Sequence, residues 1–263
     1  MFEASPRSDL LYPRYPRPNT DVETAALEKG VHGTCPVCGR RTLFTNWTTN
    51  FRESGECQEC GSFNRQRQIA LTLRRCLGIS VDDPWPTCRE TSIYNTESHG
   101  SLHEALSVLP GYHHSEYYSD GQPPGGRHED LQRLSFPDAS FDVALSSDVL
   151  EHVPEPYQAH REIRRVLKPG GSHIFTVPFY PYYYFDEVRA YIKDGQLIHV
   201  KEPIYHSDPI RPEGALVYTI FSLEMLAKLH QAGFQTYFYT LYEPDCGILG
   251  WDSLVFQGIG RGE

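Results

Sequence analysis

Between Phe136 and Pro178 the alternation of apolar and polar residues predicts a strand, a loop, a helix, a turn and a second strand. Phe141 to Ser147 is a short, mostly apolar run of the kind that forms a buried strand. Pro154 and Pro156 stand where a helix begins, and Ala159, Ile163, Val166 and Leu167 recur at helical spacing along one face. Lys168-Pro169-Gly170-Gly171 ends that helix, and His173 to Val177 supplies the next strand. Such a unit is a parallel βαβ crossover, and ligands of open parallel sheets bind beyond the carboxyl ends of the strands. Ser146, Ser147, Asp148, Glu151 and His152 lie at that end.

The pattern extends in both directions. Ser62 caps a predicted helix through about Leu77, with Ile69, Leu73, Cys76 and Leu77 along one side. Arg65, Arg67, Arg74 and Arg75 line the rest, as a solvated or ion-paired face or, alternatively, as a nucleic-acid contact. Asp82-Asp83-Pro84-Trp85-Pro86 reads as a hinge. Ser92 to Asn95 is a candidate strand, Glu97 to Gly100 a loop, and Ser101 caps a helix carrying Leu102, Ala105, Leu106 and Leu109. Tyr112 to Tyr118 is the second strand. Past Pro178 comes the aromatic run Phe179-Tyr180-Pro181-Tyr182-Tyr183-Tyr184-Phe185, then a polar insertion with His199, His206, Asp208 and Arg211. Ser222 caps a last helix ended by Gly233, and Gln235 to Tyr242 and Ser253 to Gln257 read as closing strands.

Three segments stand in a telling order: Asp138-Ala139-Ser140-Phe141-Asp142-Val143, Glu151-His152-Val153 and Leu167-Lys168-Pro169-Gly170-Gly171. Over roughly residues 90 to 180 the chain resembles the class I S-adenosylmethionine-dependent methyltransferases of the type 11-like group. The resemblance implies an α/β fold, a doubly wound Rossmann-like sheet, mostly parallel with a terminal antiparallel strand. It implies S-adenosylmethionine as cofactor and a lid insertion at about residues 179 to 217. It places Gly100, with Glu97 beside it, in the cofactor loop, and Ser147 at the neighbouring strand end. Glu116, or failing that Asp120, takes the ribose hydroxyls; Asp130 takes the adenine amino group, and Leu131 packs on the ring. The family's acidic-x-Gly-x-Gly loop is reduced here to one glycine, which argues against a dinucleotide, because a pyrophosphate needs close backbone approach from several.

Asp148, Glu151 and His152 are spaced i, i+3, i+4, so a helical turn would bring them to one face. His152, an imidazole titrating near neutrality, is the candidate base for a hydroxyl acceptor. The alternatives are that Glu151 and His152 brace the cofactor loop, or that the three hold a Mg²⁺-type cation, as a similar acid-x-x-Glu-His group does in ubiquinone-biosynthesis O-methyltransferases. His206-Ser207-Asp208-Pro209 has the residue types for a second acid–base pair, although a plain turn explains it better. Aromatics of the insertion suit stacking on a sugar or ring, or facing a sulfonium, as well as ordinary lid packing.

Composition narrows the setting. A chain of 263 residues can bury a full α/β core and carry one small extra module. No apolar stretch approaches the ~20 residues that span a bilayer, and the first residues form no continuous apolar segment, so a cytoplasmic location is expected. A net charge of −10 opposes nonspecific attraction to nucleic acid or an anionic membrane. Among seven cysteines, Cys35-Pro-Val-Cys38 and Cys57-Gln-Glu-Cys60 form two C-x₂-C turns followed by Gly39 and Gly61. That pattern fits a structural Cys₄ zinc site; paired disulfides would need an oxidising compartment. Cys76, Cys88 and Cys246 are expected to be packing residues. The expected organisation is an extended arm (1–30), a zinc ribbon (31–63), a linking helix and hinge (64–87) and a catalytic domain (88–263). Three functions are open: O-methylation of a small molecule or sugar, methylation of an RNA base with the ribbon gripping the RNA, and a noncatalytic scaffold.

Overall fold

The computed structural model describes residues 20–85, 90–118, 126–208, 211–250 and 254–261. A six-stranded sheet forms its centre. The strands are β4 (Ile93–Asn95), β5 (Tyr112–His114), β6 (Phe141–Ser147), β7 (Leu167–Thr176), β14 (Phe234–Thr240) and β15 (Leu254–Gly260), in the spatial order β14-β15-β7-β6-β4-β5. β5, β4, β6 and β7 are mutually parallel, whereas β15 runs antiparallel to both β7 and β14. This is the expected Rossmann-like sheet with its antiparallel closing hairpin.

Alternation along the strands assigns the two faces. Val143 and Leu145 of β6, Ile174 of β7 and Val255 of β15 point to one side and join a cluster with Ile69, Leu73, Leu102 and Leu106. Ala144, Phe175 and Phe256 point to the other and join Ile163, Val166, Met225 and Leu229. The first face is covered by α2 (Asn64–Leu77) and α3 (Gly100–Leu106), the second by α4 (Pro156–Val166) and α5 (Glu224–Gln231). β7 begins at Leu167, six residues before the strand expected at His173, because Leu167 pairs with Phe141 and the intervening residues are drawn along the sheet edge. Lys168 Nζ reaches Asp142 at 2.8 Å there.

The N-terminal third departs further from expectation. Thr20–Lys29 is a helix, α1, where an extended arm was expected; residues 1–19 lie outside the described set. β1 (Val31–Thr34), β2 (Arg41–Thr45) and β3 (Glu56–Cys57) make a small antiparallel sheet that carries the cysteine turns. This ribbon shares one apolar cluster with the main sheet: Val37, Phe44 and Trp47 belong with Ile93, Val143 and Ile174. α2 is therefore a covering layer of the sheet as well as the connection to it. Of its four arginines, Arg65 and Arg75 are ion-paired as the sequence allowed, but the other two are buried. Arg67 and Arg74 are 0% and 1% exposed. Arg67 lies over the Phe44 ring at 4.4 Å and donates through Nε and Nη2 to Gly247 O at 3.0 and 2.8 Å. Arg74 stacks on Trp85 at 4.0 Å and donates to Pro36 O, Ser80 O and Asp83 O, so Asp83 and Trp85 of the expected hinge, and Ser80 before it, are tied to α2.

Ser62 does not cap α2. The helix starts two residues later, and Ser62 Oγ sits 3.3 Å from Cys35 Sγ and 3.2 Å from Cys60 Sγ.

Between β7 and α5 the chain forms three short antiparallel pairings. β9 (Ala190–Lys193) pairs with β10 (Gln196–His199), β11 (Tyr205–His206) with β12 (Ala215–Leu216), and β8 (Glu187–Val188) with β13 (Thr219–Ile220). No helix among the described residues is long and apolar enough to cross a membrane.

Candidate functional site

The carboxyl ends of β4, β5, β6 and β7 open into a cavity of about 810 Å³, within the range of small-ligand sites. Thr96 and Glu97 follow β4, Ser115 and Glu116 follow β5, Ser147 and Asp148 end β6, and Pro178 follows β7; all line the cavity. Asp130 and Leu131 line it from the loop before β6. Gly100 does not. It is the first residue of α3 at φ +82°, a left-handed conformation that favours glycine, so the backbone turn into α3 accounts for this residue.

Glu116 is nearly buried and already organised. Its Oε1 accepts from the Ser98 backbone N–H at 2.8 Å and from Ser98 Oγ at 3.1 Å, and lies 3.0 Å from His99 Nδ1. None of these contacts uses Oε2. The hydrogen bond to Glu116 raises the His99 imidazole above its ordinary range. Asp130 Oδ1 accepts from the Gln132 backbone N–H at 2.9 Å, which fixes the turn carrying Leu131. Glu97 is pushed up to about 7: burial drives it, and Arg65 and His99 oppose. Thr96 Oγ1 is buried on the cavity wall with no hydrogen-bond partner. Asp120 lies outside the described residues.

Two arginines that nothing in the local sequence singles out enter this wall from the ribbon and α2. Arg52 donates both terminal nitrogens to Asp148, each at 2.6 Å, in the bidentate geometry that suits a guanidinium and a carboxylate. Arg65 lies 3.5 Å from Asp148, pairs with Glu53 at 2.9 Å and donates to Ser147 Oγ. Burial by itself would raise Asp148, but the two guanidiniums outweigh it and hold the carboxyl well below the usual range. Asp148 adopts φ +52°, a left-handed conformation that Asp tolerates better than most residues.

The three residues expected on one helical face are split. Leu150–His152 is a single 3₁₀ turn. Asp148 is claimed by the arginines, while Glu151 and His152 meet His206 of β11. His152 Nδ1 lies 2.8 Å from Leu216 O, so it carries the proton and leaves Nε2 with a free lone pair. That Nε2 is 3.2 Å from His206 Nδ1, and Glu151 Oε1 is 3.7 Å from each of these nitrogens. Burial pushes His152 down to about 4 and lowers His206 as well, so both rings are neutral at pH 7. Burial, reinforced by Asp148, raises the Glu151 carboxyl well above its ordinary range. His206, which the sequence favours as part of a plain turn, thus lines the cavity; its fold partner His152 is 54 residues away.

The aromatic run does not reach the cavity. Tyr180, Tyr183, Tyr184 and Phe185 are exposed elsewhere, and the aromatic wall is made by Tyr117, Tyr205 and Tyr218. β11, β12 and Ile192 of β9 close the side opposite the sheet.

In the ribbon the four sulfurs of Cys35, Cys38, Cys57 and Cys60 lie within 4.8 Å of one another. Cys35–Cys60 and Cys38–Cys57 are 3.8 and 4.0 Å apart. Four thiolates about 2.3 Å from a tetrahedral zinc ion are separated by about 3.8 Å, so these positions suit such an ion.

Residues 114–175 match the family described as Methyltransferase domain. An uncharacterized methyltransferase of Mycobacterium sp. strain KMS is 44% identical over 54 residues, 20% of this chain and 21% of the relative. One from Mycobacterium leprae strain Br4923 is 55% identical over 43 residues, 16% of each. The match thus spans about a fifth of the length of these relatives. Among solved structures, an S-adenosylmethionine-dependent methyltransferase from Mesorhizobium loti is similar over 73% of this chain and 97% of its own, at 15% identity and a TM-score of 0.44. The matched segment runs from the second parallel strand through β7, the stretch that supplies Glu116, Asp130, Leu131, Asp148 and Glu151 to the site, and over that stretch the chain is similar to the methyltransferase domain.

Proposed function

We propose that the protein transfers a methyl group from S-adenosylmethionine to an oxygen of a small molecule or sugar. The observation that carries this reading is the convergence of Glu116, Asp130 and Leu131 on one cavity at the carboxyl edge of the sheet. Glu116, with Oε2 outside its internal bonds, is suited to the ribose hydroxyls, and Asp130 and Leu131 to the adenine edge and face. The orphaned Thr96 hydroxyl is a polar group on the wall that a ligand would satisfy. Glu97 on the cavity wall offers a carboxylate to the ammonium group of an amino-acid tail. When bound, the cofactor supplies an activated methyl on a sulfonium; the chain's part is to align the acceptor and exclude water. His152, neutral with its lone pair on Nε2, stands at the wall where an acceptor hydroxyl would be oriented.

Charge supports the small-acceptor reading. Two arginines of the ribbon and two of α2 are ion-paired: Arg40 with Glu59 at 3.0 Å, Arg52 with Asp148, Arg65 with Glu53, and Arg75 with Glu243 at 2.6 Å. These pairings neutralise much of the positive charge that an RNA backbone would need between ribbon and cavity, which supports a small acceptor. Zinc in the Cys₄ cluster is proposed as structural, since four thiolates leave no open position.

Asp130→Ala should weaken S-adenosylhomocysteine binding about tenfold by calorimetry, the cost of one charge-assisted hydrogen bond, with zinc content unchanged. Wild-type protein that evolves no heat with S-adenosylhomocysteine at any concentration would rule out methyl transfer and favour a scaffold.

A further inference from the structure

Glu151 is the least explained side chain in the molecule. It is 0% exposed, and neither carboxylate oxygen has a hydrogen-bond partner. A buried acid in that condition is costly unless something absent from the chain completes it. What faces it is a pair of imidazoles. Glu151 Oε1, His152 Nε2 and His206 Nδ1 form a triangle with edges of 3.2, 3.7 and 3.7 Å. The centre of such a triangle is about 2 Å from every corner, the bond length at which divalent zinc binds nitrogen and carboxylate oxygen.

We infer that Glu151, His152 and His206 form a second metal site, for a divalent transition metal ion, built between the β6 loop and the β11 strand. The neighbourhood has the form that metal-ligating histidines require. His152 Nδ1–H donates to Leu216 O at 2.8 Å, which fixes the ring and leaves Nε2 for coordination. The Glu151 backbone is pinned in turn, its carbonyl accepting from Tyr218 N–H at 2.7 Å. Two imidazoles and one carboxylate favour zinc, iron or manganese over the Mg²⁺ suggested by the sequence, because magnesium prefers an all-oxygen octahedron. Asp148, which would have supplied a further oxygen, is held by Arg52.

Three protein ligands leave positions open, and the openness has a direction. His152 and His206 line the cavity, whereas Glu151 lies behind them. The vacant positions therefore face the acceptor side, and the ligand class they fit is an oxygen donor such as a hydroxyl or a pair of adjacent oxygens. In this arrangement Nε2 of His152 is a ligand, and the acceptor's oxygen is positioned by the ion. The inference goes beyond methyl transfer and does not depend on it.

The test counts zinc in the full-length chain, equilibrated with zinc sulfate and desalted, against Glu151→Gln and His206→Ala. Wild type should carry one more zinc per chain than either variant, and the Cys₄ cluster, common to all three, cancels in the difference. Where residual binding persists, competition with a chromogenic chelator should show the second zinc bound at least about tenfold more weakly in each variant. Equal zinc counts and equal affinities in all three proteins would overturn the site. S-adenosylhomocysteine titrated into the same preparations reports the cofactor reading separately: retained heat with equal zinc counts removes the metal alone.

Discussion

His160 is fully buried between α4 and the sheet, 5.2 Å from Phe175 and 5.4 Å from His173, and neither ring nitrogen has a hydrogen-bond partner. Burial lowers it to about 3 from an imidazole's ordinary 6.5. Between those values the unfolded chain binds the proton and the folded chain does not, so stability falls as pH drops below about 6.5. Urea unfolding at pH 7 and pH 5 should show the loss, and His160→Leu should reduce it by about 2 kcal/mol, the integrated cost of one such group. An unchanged pH slope in that variant would mean the ring finds a proton-accepting partner. At this scale the sequence was informative where motif and chemistry coincide. Glu116, Asp130 and Leu131 all line the cavity. It was uninformative where a partner comes from far away: Arg52 is 96 residues from Asp148, and no local pattern distinguishes it from any surface arginine.

At the level of elements, the βαβ crossover was legible because hydrophobic period alone specifies it; β6 spans the expected residues. α2 was legible as a helix and misleading as a surface. Four arginines opposite an apolar stripe resemble a solvated face, yet guanidinium planes can be buried when carbonyls and aromatic rings receive them. Burial pushes Arg67 down to about 10, and its donors go to Gly247 O and Ser62 O. Arg67→Met keeps most of the stem but strands those carbonyls, and should lower unfolding free energy by roughly 3 kcal/mol in urea titrations. Arg75, half-exposed and paired only at the surface with Glu243, provides the contrast: Arg75→Met should change stability by less than about 1 kcal/mol.

Across the whole molecule the ribbon acts as one wall of the cavity. Arg52 sits in the short turn Phe51–Glu53 that precedes β3, so whatever orders Cys57 and Cys60 also positions the guanidinium on Asp148. Cys57→Ser should therefore lose the ribbon's metal and also weaken S-adenosylhomocysteine binding, by about tenfold or more in calorimetry. Unchanged affinity in metal-free protein would make the ribbon an independent appendage. The latch between the halves has a further consequence for how the chain is born. Asn64 Nδ2 donates to Leu249 O at 2.6 Å, and Gly247, at φ +65°, leaves no room for a Cβ against the Phe44 ring, 2.5 Å away. The ribbon's oily side is sealed by residues translated some two hundred positions after it. A nascent chain must carry that surface uncovered until those residues arrive, which makes the ribbon the part of the molecule most open to misfolding in the interval.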